Sequence, residues 1–300
     1  MLTNNTTASW LTLAIASLGL SLSANVFATG GGDDDDGGND GGTGFSSLFS
    51  QAEDNGRCSV RRVSGASSTF YVPTDPSNSN ARFNILAWGN GTGGTSSTYR
   101  TVLESIASHC ILVAAANTAN SGTGREVQNA VDDARNRYGN ILMTNAKVCT
   151  SGHSQGGGGS FNAANRLNAQ CVIGVQPDTV YTTSIDDALA RTVETICLFS
   201  SSDTLAPDTP YNSRNCQRNS SILTEIETSG EDHFTITSGR GGDIGTLFRM
   251  AAKAQLSTDS AVAAKFRGAF WGPTTSSTVT TSNRSISNVE RDSGATSTTP

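Results

Sequence analysis

From Cys58 onward, short apolar runs alternate with amphipathic stretches, the rhythm of strands joined by crossover helices. Residues 69–72 (TFYV, closed by Pro73), 83–88 (FNILAW) and 111–116 (ILVAAA) predict strands, and residues 148–150 lead into a fourth. Residues 171–175, 195–199 and 222–226 predict three more. Between them, residues 95–107 carry Tyr99, Val102, Leu103 and Ile106 at helical spacing. Residues 125–138 place Val127, Ala130, Val131 and Ala134 on one face, with Gly139 expected as the C-terminal cap. Residues 247–254 and 261–270 predict the last helices. The expected class is α/β: a central, mostly parallel β-sheet flanked by helices. No internal repeat is visible, and no large lid domain is expected.

The two ends of the chain read differently. An uncharged run from Trp10 to Ala28, leucine- and alanine-rich through Leu22, ends in small residues of the kind a signal peptidase reads. Residues 1–28 are therefore read as a secretory signal peptide cleaved near Ala28. A membrane anchor is the alternative, but the apolar core falls short of the ~20 residues a span needs. Residues 29–57 read as a Gly/Asp-rich linker and lead-in, because TGGGDDDDGGNDGGTG has no apolar side chain to bury. The aspartates in it lack the spaced ligands of a calcium loop. Residues 58–272 are read as one folded α/β domain, and the Ser/Thr-rich residues 273–300 are expected to be a loose tail.

Charge and cysteine content narrow the function classes. The formal net charge is −6, of which Asp33 to Asp36 and Asp40 carry five, so the remainder is close to neutral. That argues against nucleic acid as a partner. Six cysteines in an exported chain predict disulfides. Cys149 and Cys197 sit inside apolar runs, where buried thiols are the alternative reading. With three histidines and no C-x-x-C spacing, neither a metal nor a cofactor is expected. A monomer with no stable membrane anchor is expected.

The candidate chemistry centres on residues 147–160, KVCTSGHSQGGGGS. Gly152-His153-Ser154-Gln155-Gly156 matches the G-x-S-x-G elbow, in which a serine stands on a tight strand-to-helix turn and the next backbone N–H, here that of Gln155, faces an oxyanion. A serine hydroxyl needs a base, and the base needs an acid to fix its tautomer. His153 lies within the elbow and is read as a pocket-wall residue; His109 sits in a helix-to-strand turn and reads as structural. His233, on a loop after a strand, is the base by elimination and order. Asp203, directly after residues 195–199, is favoured as the acid, with Asp178 one strand earlier as the competitor. The paired Asp186 and Asp187 read as the start of a helix. The glycine-rich turn after residues 83–88 overhangs the elbow in this architecture, so Asn90 or Gly91 is expected to give the second oxyanion N–H.

With those residues placed, the chain resembles the bacterial cutinase and polyester-hydrolase family of secreted α/β-hydrolases. Residues 151–160 are similar to the family's G-H-S-M-G-G-G-G elbow, and residues 106–118 (IASHCILVAAANT) to its L-A-S-H-G-F-V-V turn. Residues 202–207 (SDTLAP) resemble its N-D-x-I-A-P acid loop, and residues 230–234 (GEDHF) its histidine loop. The likeness spans roughly residues 69–270. It implies an α/β-hydrolase fold, the triad Ser154, Asp203 and His233, and hydrolysis of esters and polyesters. His153, Gln155, Tyr181 and Trp88 are the substrate-binding residues expected on this basis. There are departures: Gln155 stands for the family's methionine, Asn90 follows Gly89 where an aromatic is usual, and in residues 176–181, where the family has a tryptophan, Tyr181 is the sole aromatic. These argue against a clamp for aromatic rings. A short-chain carboxylesterase, a lipase, a polyhydroxyalkanoate depolymerase and an acyltransferase remain alternatives on the same fold, as does a binding protein that retains the scaffold.

Overall fold

The computed structural model describes residues 45–185, 193–208, 212, 215–216, 222–271, 278–281 and 284–291. The segments read as a signal peptide and acidic linker, and the pair Asp186 and Asp187, lie outside the described residues.

The strands are β1 (Ser59–Ser64), β2 (Ser68–Thr74), β3 (Ile85–Gly89), β4 (Leu112–Ala116), β5 (Val148–Ser154), β6 (Cys171–Pro177), β7 (Glu194–Ser200), β8 (Ile222–Thr228), β9 (Thr278–Thr281) and β10 (Arg284–Arg291). They form one sheet in the order β1-β2-β4-β3-β5-β6-β7-β8-β10-β9. Every pairing from β4 through β3, β5, β6 and β7 to β8 is parallel. The β1-β2-β4 edge and the β8-β10-β9 edge are antiparallel.

Six helices accompany the sheet among the described residues: α1 (Phe45–Glu53), α2 (Arg100–Ser108), α3 (Arg125–Tyr138), α4 (Gln155–Leu167), α5 (Gly242–Leu256) and α6 (Ser260–Trp271). Successive strand residues point to opposite faces, and both faces are apolar here. Leu86, Trp88 and Val113 join Leu48, Val102, Leu247 and Phe266 in one core. Ile85, Ala87, Leu112 and Ala114 join Val127, Ala130, Phe161 and Ala163 in the other. Helices α1, α2, α5 and α6 therefore cover one face, and α3 and α4 the other. Strands buried on both faces read as near-continuous apolar runs, which is why β3, β4, β6 and β7 are visible in the sequence.

The differences lie at the margins. Helix α1 falls in the stretch expected as a lead-in; Leu48, Phe49 and Ala52 are buried, and the Ala52 carbonyl accepts a 2.5 Å hydrogen bond from buried Arg249. Strand β1 escaped notice because an edge strand with Arg61 and Arg62 has no apolar run to show. The Ser/Thr-rich tail, expected to be loose, contributes β9 and β10: their pairing uses backbone groups, which composition does not reveal. Gly139 does cap the C-terminus of α3, as expected, but not in the left-handed geometry usual for such a glycine. Its φ of −53° is right-handed and the chain runs on into a short 3-10 turn, Gly139–Ile141.

All six cysteines are paired, as Cys58–Cys110, Cys149–Cys171 and Cys197–Cys216. Cys149 and Cys197 are thus not buried thiols; Cys149 faces Cys171 in register across β5 and β6. Three disulfides point to an oxidising compartment. Among the described residues, no helix is long and apolar enough to cross a membrane.

Candidate active site

Because β5, β6, β7 and β8 are parallel neighbours, their carboxyl ends share one edge of the sheet, where ligand sites of open α/β sheets form. Ser154 ends β5, Asp203 follows β7 and His233 follows β8. Strand order thus brings together residues far apart in the chain.

The elbow is built from backbone. Strand β5 runs straight into α4, and Ser154 between them is held at φ 54°, ψ −122°, a sparsely populated conformation that costs about 1–3 kcal/mol. The turn is this tight because glycines let main chains meet: a Cβ on Gly152 would run into the Gly156 carbonyl, and one on Gly156 into the Gly89 carbonyl. The Ser154 carbonyl accepts the Asp178 N–H at 2.9 Å.

Asp203 and His233 form a buried pair. His233 Nδ1 lies 2.8 Å from Asp203 Oδ2, and the other carboxylate oxygen accepts the Leu205 and Ala206 N–H groups at 2.8 and 2.9 Å. Burial opposes ionisation of Asp203, but the His233 and backbone hydrogen bonds outweigh it and hold the carboxyl below its ordinary value. An ionised Asp203 takes the Nδ1–H, which leaves His233 Nε2 to accept a proton. The His233 ring lies 4.5 Å from the ring of His153, the residue before Ser154, so the pair abuts the elbow. Asp178 does other work: its carboxylate caps the following loop, accepting the N–H groups of Val180, Tyr181 and Thr182.

Several expected roles change. His153 does not line a pocket wall. It is buried, with Nε2 2.8 Å from the His233 carbonyl and Nδ1 2.9 Å from the Tyr99 hydroxyl. Trp88 is fully buried in the core, its indole N–H bonded to Asn90 Oδ1 at 3.1 Å, and cannot touch a substrate. The Gln155 side chain joins two loops, accepting the Ser121 N–H and donating to the Thr182 carbonyl, both at 3.3 Å. Of the four, Tyr181 alone is open, at 78% exposure.

The expected oxyanion donors are also sorted by geometry. The Gln155 N–H opens α4, where the first N–H groups have no acceptor within the helix. The Asn90 N–H donates to Ser121 Oγ at 3.2 Å and the Gly91 N–H to the Tyr99 hydroxyl at 3.1 Å, so both are committed within the protein. Gly91 nonetheless lies against the elbow, since a Cβ there would come within 3.2 Å of the Ser154 Cβ.

Among the described residues, four of the five exposed large apolar side chains stand around this edge: Val180 and Tyr181 after β6, Leu205 beside Asp203, and Phe234 beside His233. A cavity of about 380 Å³ lies alongside, lined by residues 179–185 and Asn215 but by none of Ser154, Asp203 and His233. The specific hydrogen bonding and backbone strain lie at the three side chains, and the cavity is their neighbour.

Tyr99, Ser121, Gln176 and Ser200 were missed in the sequence. Tyr99 read as one more apolar helix position; its one signal was the hydroxyl, which seeks a partner when buried. No protein-family model matches the chain, and a search of curated proteins finds no match.

Proposed function

We propose that the protein is a secreted serine ester hydrolase of α/β-hydrolase fold that works through an acyl-enzyme. The observation that carries this reading is the 2.8 Å Asp203–His233 pair set against a strained serine elbow. Ser154 attacks the ester carbonyl while His233 Nε2 takes its proton; Asp203 holds the tautomer and balances the imidazolium. The Gln155 N–H stabilises the oxyanion, and His233 returns the proton to the departing alcohol. Water then repeats the sequence on the acyl-enzyme and releases the acid. The strand order, the antiparallel β2 and the placement of the three residues after β5, β7 and β8 support the hydrolase fold. The disulfides support export.

The rim of Val180, Tyr181, Leu205 and Phe234 supports an apolar or polymeric ester as substrate. A chain-length series of p-nitrophenyl esters alongside polyester films tests this. Hydrolysis that rises with acyl length and extends to the film is expected; turnover of short soluble esters alone would remove the polyester part. Ser154→Ala is expected to lower kcat by about 10⁶-fold. Retained activity in that variant would refute the mechanism.

A further inference from the structure

The loop after β8 has to carry His233 from the end of β8 back to the end of β5, past β7 and β6. Three side chains mark its path. Ser200 Oγ, at the end of β7, donates to the Glu231 carbonyl at 2.6 Å. Gln176 Nε2, near the end of β6, donates to the Asp232 carbonyl at 3.1 Å. His153 Nε2, near the end of β5, reaches the His233 carbonyl at 2.8 Å. Consecutive carbonyls of the loop are thus taken by consecutive strands of the sheet. All three donors are buried: Ser200 at 1%, Gln176 at 0% and His153 at 2% exposure.

The last of these bonds fixes a tautomer. A carbonyl can only accept, so His153 Nε2 carries the hydrogen, and Nδ1 accepts from the Tyr99 hydroxyl when the ring is neutral. The Tyr99 oxygen in turn accepts the Gly91 N–H. A directed chain follows: Gly91 N–H to Tyr99 O–H to His153 Nδ1, then His153 Nε2–H to the His233 carbonyl. Burial, followed by the proximity of His233, pushes His153 down to about 3 and keeps it neutral, and burial pushes Tyr99 up to about 12.

We propose that Ser200, Gln176, His153 and Tyr99 are positioning residues that clamp the backbone of the His233 loop and so aim the imidazole at Ser154, with Tyr99 linking the clamp to the glycine turn after β3. The inference rests on the hydrolase reading for its kinetic readout. None of the four side chains needs to touch the substrate. What they supply is angular precision, where a displacement of about 1 Å at the reacting atoms can cost on the order of 10²-fold in rate.

The test uses the full chain with a soluble p-nitrophenyl ester and four variants. Gln176→Met and Tyr99→Phe remove one polar group each at nearly constant shape. They are expected to lower kcat about ten- to hundredfold while KM stays within about twofold. His153→Gln keeps an amide donor near the Nε2 position and His153→Asn does not, so the former is expected to retain more kcat. The low-field proton resonance of the His233 Nδ1–H, read without turnover, is expected to shift or broaden in Tyr99→Phe, Gln176→Met and His153→Asn.

A purely structural role would lower the melting temperature and leave kcat per folded molecule and the resonance unchanged; that result overturns the clamp. If Gln176→Met fails to fold, Ser200→Ala, a smaller deletion, is read by the same criteria. Absence of ester turnover in the wild type would instead sink the hydrolase reading, and the Nδ1–H resonance would still judge the clamp on its own.

Discussion

The elbow and the histidine loop hold their candidate side chains at the same sheet edge by opposite means. The elbow is made of main chain: glycines at 152 and 156 admit neighbouring carbonyls and force Ser154 into its strained dihedrals. The histidine loop is made of side chains reaching in from elsewhere. Ser200, Gln176 and His153 hold its carbonyls, and the Glu231 carboxylate accepts the Asp243 and Ile244 N–H groups at the start of α5. The elbow's residues lie in one short stretch, with Gly89 of the neighbouring β3 as its nearest remote contact, whereas the loop's anchors are scattered over three strands. Damage to the first should therefore appear as lost stability, and damage to the second as lost rate.

After the loss of Ser154 itself, the largest expected effect lies on the distributed side. Asp203→Asn keeps the shape of the acid but favours the wrong His233 tautomer, and should lower kcat by about 10⁴-fold, or about 5 kcal/mol, with little change in melting temperature. Steady-state kinetics beside a thermal melt checks both halves, and a near-normal kcat would remove Asp203 from the mechanism. On the local side, Gly156→Ala drives a methyl into the Gly89 carbonyl and should cost about 3 kcal/mol of stability in urea unfolding. An unchanged urea midpoint would show that the elbow tolerates more than its packing implies.

A pH titration examines the seam between the two regions. His153 belongs to the elbow but bonds the histidine loop, and burial holds it at about 3. His109 is likewise held at about 3 by burial and then by Lys253, Arg249 and Arg240. Both are depressed from 6.5, so between pH 6.5 and about 3 the unfolded chain binds protons that the folded chain does not. Their contribution to stability is present above about pH 6.5 and lost as pH falls towards 3, by at most about 1.4 kcal/mol per pH unit for each histidine. Urea unfolding from pH 7 to 4 should show this fall, and His109→Gln should flatten it by about one histidine's share. A slope indifferent to that substitution would contradict the assignment.

The smallest effect belongs to the rim. Phe234 is 58% exposed beside His233, and Phe234→Ser should slow attack on a polyester film a few-fold more than attack on a soluble ester. Equal losses on both would place Phe234 in the histidine loop's packing instead of on a docking surface.

These contrasts track what was legible. Strands β3, β4, β6 and β7 show as apolar runs because both their faces are buried, and α3 matches its predicted residues 125–138 because its apolar face repeats at helical spacing. The elbow is legible because its glycines and serine are adjacent. Helix α1 and strand β1 were obscured by a glycine-rich approach and by edge arginines. Trp88 and His153 were misplaced for a different reason: each stands next to the site in sequence, yet points into the interior.

The sequence by itself therefore determined the alternation of strands and helices, the elbow, and the order in which Ser154, Asp203 and His233 follow one another. Hydrophobic periodicity and turn chemistry act over a few residues, so a linear reading captures them. Only the tertiary structure decided that Asp203 rather than Asp178 meets His233, that the Asn90 and Gly91 N–H groups are already engaged, and that His153 bonds a backbone carbonyl 80 residues away. Buried polar groups must find partners wherever the packed strands place them. Which partner each one meets is set by strand order and register, properties that no local stretch of the chain contains.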